Sequence, residues 1–148
     1  MAYRLSSIYK SLIRHVRDMI DDIRDSGVSP GLKYYAFDSR GEEAEVENDD
    51  LVGLAGWTFD ENRGLWLIRC GINVSTIFDR NLLREIEIVD KIHDWFGEDQ
   101  IVPLRDPDTG EEYTQLVVKH FEMAPTLQSE KRNYRPVSLE LLRTSTDG

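Results

Sequence analysis

Leu5, Ile8, Leu12, Val16, Met19 and Ile23 recur at steps of three and four residues, and Ile13 and Ile20 widen the stripe they make. Such a stripe predicts an amphipathic helix that must bury one side against other elements. The opposite side carries Arg14, Arg17, Asp18, Asp21, Asp22, Arg24 and Asp25, with Arg17 and Asp21 spaced to pair on a solvated face. Ser6 or Ser7 is the expected cap, and Gly27 followed by Pro30 stops the helix.

The remaining patterns read mainly as strands. Residues 32–38, with Tyr34, Tyr35 and Phe37, form the first. Residues 51–59 and 65–76 form a hairpin through Asp60, Glu61, Asn62, Arg63 and Gly64, a turn-forming run. In its second strand Trp66, Ile68, Cys70, Ile72 and Val74 share one face, while Arg69, Asn73 and Ser75 share the other. Gly53 and Gly56 mark a bulge or a close backbone approach. A second helix starts near Asp79 and carries the stripe Leu82, Leu83, Ile86, Val89, Ile92 and Phe96 up to Gly97. Ile88 and Trp95 lie off that stripe, which predicts contact on two sides.

Residues 101–104 and 113–123 flank the turn Asp106, Pro107, Asp108, Thr109 and Gly110, and residues 137–144 form the last strand. Residues 124–135 read as a polar connection and 145–148 as a short polar tail. The order helix, strand, hairpin, helix, hairpin, strand predicts one α+β domain over residues 1–148. Its expected form is a mostly antiparallel β-sheet with two amphipathic helices packed on one face.

Residues 39–50 hold Glu42, Glu43, Glu45, Glu47, Asp49 and Asp50 and almost nothing apolar, so an exposed acidic loop facing a partner or a lumen is expected. With 40% hydrophobic and 31% charged residues, the 148-residue chain has a globular composition rather than a disordered one. No apolar run approaches the ~20 residues of a membrane span. The opening residues lack a secretion signal's apolar stretch. A net charge of -10 argues against gripping nucleic acid, which needs clustered Lys and Arg, and against anionic membrane. It is compatible with a wall past which nucleic acid slides.

The candidate chemical groups each have a structural explanation. His15, His93 and His120 are dispersed and lack metal-ligand spacing. Cys70, the single cysteine, sits on an apolar strand face as a buried thiol. Asp106, Asp108, Gly110 and Glu112 resemble a calcium loop less than a hairpin turn. Asp18, Asp22 and Asp25 share a helix face interleaved with arginines. The expectation is therefore no catalytic residue, no cofactor and no metal. Trp57, Trp66, Ile88 and Trp95 are the candidate subunit-interface residues, since aromatic side chains favour interfaces.

The order of these elements resembles the tail terminator family of long-tailed bacteriophages. The similarity rests on the opening helix 5–25 and the strand with Tyr34, Tyr35 and Phe37. It continues through the hairpin returning at Gly64, Leu65, Trp66, Leu67, Ile68, Arg69 and Cys70, the helix 81–96, the strand pair ending in 113–123, and the strand 137–143. The resemblance implies a structural virion protein, assembled in the host cytoplasm, that forms a hexameric ring. Such a ring caps the tail tube protein, stops its polymerisation and offers a joining surface to a head completion or neck protein. In a contractile tail it also touches the tail sheath. DNA passes the bore without specific binding. The alternatives are another phage neck or tail completion protein, a non-phage acidic adaptor, and a small hydrolase using scattered carboxylates.

Overall fold

The computed structural model describes residues 4–35, 49–77, 82–128 and 132–143. Helix α1 (Leu5–Asp25) buries Ile8, Ser11, Leu12, Val16, Met19, Ile20 and Ile23. Leu5, the first member of the stripe, is 53% exposed. Arg4 occupies the N-cap with extended backbone and makes no side-chain cap bond, so neither Ser6 nor Ser7 caps the helix. At the other end Ser26 Oγ donates to Ile23 O at 2.7 Å, and Gly27 turns the chain at a φ of 84°. That left-handed conformation favours glycine.

Strands β1 (Lys33–Tyr34), β2 (Leu51–Asn62), β3 (Leu65–Ile77), β4 (Ile101–Arg105), β5 (Glu112–Met123), β6 (Leu127–Gln128) and β7 (Arg132–Arg143) form one sheet, with helix α2 (Leu82–Phe96) inserted between β3 and β4. The order is β1-β2-β3-β7-β5-β4, and β6 pairs with β7. Only β1 and β2 run parallel. The chain is thus α+β, with two helices and a mostly antiparallel sheet.

Strands β2 and β3 pair out to Asn62 and Leu65, leaving a two-residue turn where a five-residue connection is expected. Arg63 and Gly64 both take positive φ, 53° and 82°, as a tight turn matching strand twist requires. The register shifts between Ala55 and Thr58, and Gly56 adopts a φ of 59°, so Gly56 marks a bulge while Gly53 pairs in register with Asn73.

Strand β7 is longer than its hydrophobic alternation suggests. Arg132, Asn133, Tyr134 and Arg135, expected in a polar connection, pair with Ile77, Thr76, Ser75 and Val74. Arg132 is 5% exposed and donates through Nε to Ser75 Oγ at 2.6 Å and through a terminal nitrogen to Ser75 O at 3.1 Å. Hydrogen bonding therefore keeps a polar residue inside the sheet.

Buried residues of both helices and of the strands form a single core cluster. Among the described side chains of α2 the buried ones are Glu85, Ile88, Val89, Ile92 and Phe96, whereas Leu83 and Ile86 are 54% and 42% exposed. The expected stripe is therefore rotated. Ile88 belongs to the core at 0% exposure, and Glu85 takes an inward position with Arg135 and Thr126 both held on its Oε1.

Candidate functional site

Two of the six expected acidic-loop residues fall within the described structure, and neither is a free loop carboxylate. Asp49 bridges Lys33 Nζ at 2.9 Å. Asp50, 4% exposed, accepts from Ser29 Oγ at 2.8 Å and lies 3.5 Å from the Arg84 guanidinium. It anchors the entry to β2 and the start of α2, which corrects the expectation that it faces a lumen or partner. Glu42, Glu43, Glu45 and Glu47 lie outside the described residues.

The four interface candidates divide by burial. Trp66 and Ile88 are 3% and 0% exposed, so they are core residues and present no surface to another subunit. Arg143 stacks over the Trp66 ring at 4.0 Å. Trp57 and Trp95 are partly buried. Trp57 meets Tyr9 edge-on at 5.4 Å and stacks on Phe59 at 6.3 Å, making an aromatic shelf between α1 and β2. Trp95 donates through Nε1 to Asp22 Oδ2 at 3.0 Å and meets His15 edge-on at 5.1 Å, which fastens α2 to α1. Farther along α1, Arg17 lies over the Tyr34 ring at 4.8 Å. Burial raises the Tyr34 phenol's pKa, Tyr9 adds to the rise and Arg17 opposes it.

The sheet face opposite the buried alternation holds a surface groove. Pairing aligns Thr58, Arg69, Glu140 and His120 in one row across β2, β3, β7 and β5. Side chains paired directly across strands project to the same side. Arg69 Nε donates to Glu140 Oε2 at 3.0 Å, and His120 Nε2 lies 3.1 Å from Glu122 Oε2. The neighbouring row is Ala55, Gly71, Ser138 and Glu122. Its small residues give a groove of about 750 Å³ between charged and polar borders. A Cβ at Gly71 would come within 3.1 Å of Val137 O and 3.3 Å of Ala55 O, so the floor is closely packed there.

The groove is lined by a buried thiol and by exposed polar and charged side chains. Cys70 lines it but is 6% exposed, and burial pushes its thiol pKa up to about 12, far from a nucleophile's range. The His120–Glu122 contact is solvent-exposed, at 41% and 70% for the two side chains. Between the helices, burial lowers the His15 imidazole from 6.5 to about 4, with Asp18 opposing and Arg105 adding to the shift. In the turn after β4, Asp106 Oδ1 accepts from the backbone N–H groups of Asp108 and Thr109 at 2.8 and 3.1 Å. Its carboxylate thereby shapes the hairpin turn. Among the described residues no three His, Cys, Asp or Glu side chains converge on a metal-sized site. No helix there is long and apolar enough to cross a membrane.

The Arg69–Glu140–His120 row is the grouping that the sequence conceals. Each residue is visible on a strand, but their meeting depends on the β3–β7 and β5–β7 registers, which span some seventy and twenty residues. Neither a protein-family model nor a curated protein matches the chain.

Proposed function

We propose that the protein is a structural subunit of a phage particle, a tail terminator. It forms a hexameric ring, caps the tail tube and offers the surface to which the head joins. The observation that carries this reading is the succession of α1, the short β1, the twelve- and thirteen-residue strands β2 and β3, α2, β4, β5 and the C-terminal β7. This is the element order on which the resemblance rests. Two amphipathic helices on one face of the sheet leave the other, with its charged row and groove, available for a partner in the stack. Net charge supports the same reading. Six copies of a chain of formal charge -10 carry about -60, which keeps DNA from adhering to a bore.

Electron microscopy of the purified protein, alone and with isolated tail tubes, tests the proposal. Closed rings, or caps at tube ends, are expected. Monomers that leave tubes uncapped would overturn it and favour an acidic adaptor.

A further inference from the structure

Two apolar surfaces stand on opposite sides of the β3–β7 pair. The first lies along the seam of α2 with β5 and β6. His93 packs edge-on against Phe121 at 4.9 Å, and Glu85 accepts from Thr126 Oγ1 at 2.9 Å, so α2 runs back along the segment 121–126. Ile86 shares His93's side of the helix, seven residues earlier. It therefore points toward the chain around Met123. Ile86, Met123 and Leu127 are 42%, 45% and 61% exposed, and Leu83 extends the surface at 54%. The outer side of α2 beside them carries Glu87, Asp90 and Asp94 against the single base Lys91. Arg84 and Arg135 are paired with Asp50 and Glu85.

The second surface lies over β2 at the other side. Leu5, 53% exposed, is one turn from Tyr9, which meets Trp57, which in turn stacks on Phe59. Here α1 contributes bases: Lys10 and Arg17 flank the Tyr9 side of the helix before its first acid, Asp18. The hairpin adds Asp60 and Glu61 near Arg63 and Arg143, so among the described residues the excess of positive charge comes from the helix.

We infer that these surfaces bind each other between copies of the chain, acid-rimmed α2–β5–β6 against base-rimmed α1–β2, in head-to-tail order. Each surface repels its own copy at the rim and attracts the other, so a self-complementary two-fold contact is disfavoured. Unlike surfaces that bind head to tail generate rings or open helices. Charge complementarity also gives copies with a net charge of -10 a local reason to approach one another. The assignment rests on the ring reading and adds to it the surfaces through which subunits meet.

The test is a charge exchange read by sedimentation velocity and electron microscopy. One variant carries Glu87→Lys with Asp90→Lys, and the other carries Lys10→Glu with Arg17→Glu. All four positions are polar and lie outside the core cluster, and circular dichroism confirms that both variants fold. Each variant alone is expected to weaken self-association roughly tenfold or more. An equimolar mixture is expected to regain the unchanged protein's assemblies, because each altered surface then meets an oppositely charged one. Rings that persist in both single variants would overturn this assignment while leaving the ring reading intact. Loss without recovery on mixing would also overturn it. An unchanged protein that neither self-associates nor caps tubes would overturn both.

Discussion

Arg135 Nε donates to Glu85 Oε1 at 2.7 Å, with side-chain exposures of 15% and 2%, so an ion pair joins the centre of the sheet to the first turn of α2. The same arginine donates to Ala124 O at 3.1 Å, and Thr126 Oγ1 donates to Glu85. Replacing Arg135 by Met strands a buried carboxylate and should cost about 3–5 kcal/mol. Changing Glu85 to Met as well removes the stranded charge and should recover much of the loss. Urea unfolding of both variants measures this. A double variant no more stable than Arg135→Met alone would show that the pair does not act as a unit.

This pair also shows where sequence reasoning reached its limit. In α1 the seven buried residues fall at helical spacing, and none of them is a polar residue larger than Ser11. In α2, Leu83 and Ile86 outweigh Glu85 on any hydrophobicity scale, yet Glu85 is buried and they are not. Its partner Arg135 lies fifty residues away on a stretch that reads as a polar loop, so the compensation appears only once β7 is paired. Asp50 misleads in the same way. Its acidic neighbourhood suggests an exposed loop, but Ser29 and Arg84 hold it inside. The hairpin, the Gly56 bulge and the Asp106 turn were legible because their chemistry is local.

Exposed charges on the sheet should behave differently from the Glu85 pair. Arg69 is 58% exposed and Glu140 36%, so water screens their 3.0 Å contact. Arg69→Ala and Glu140→Ala should each change stability by less than about 0.5 kcal/mol in urea titrations. If the open face docks a partner in the stack, the same changes should still weaken capping of tail tubes. A loss of 2 kcal/mol or more would place the row among the elements that hold the fold.

Cys70 should be inert while the protein is folded. Its thiol is 6% exposed, and burial pushes its pKa up to about 12, so both access and thiolate formation oppose attack. At pH 8 in native buffer a disulfide reagent should label it at the rate of unfolding rather than at the rate of a free thiol. In urea, labelling should become immediate and reach one thiol per chain. Rapid labelling without denaturant would mean that β3 opens locally on the side of the groove.

Folding stability should carry a distinct signature from His15. The ring sits between Trp95 and Phe96 at centroid distances of 5.1 and 5.2 Å, and its Nε2 has no hydrogen-bond partner among the described residues. Burial lowers its pKa from 6.5 to about 4, so between these values the unfolded chain binds a proton that the folded chain refuses. Stability therefore falls as pH drops from 6.5 towards 4, and below 4 the contribution levels off because both states are protonated. Integrated over the window, the effect is at most about 3 kcal/mol. A His15→Phe variant retains an aromatic ring against Trp95 and has no proton to bind. Its stability relative to the unchanged protein should rise by up to that amount between pH 7 and pH 4, measured by urea unfolding at each pH. Carboxylates common to both proteins cancel in the difference. Parallel stability curves would mean that His15 is protonated as readily in the fold as in the unfolded chain, and that the α1–α2 contact opens to admit water.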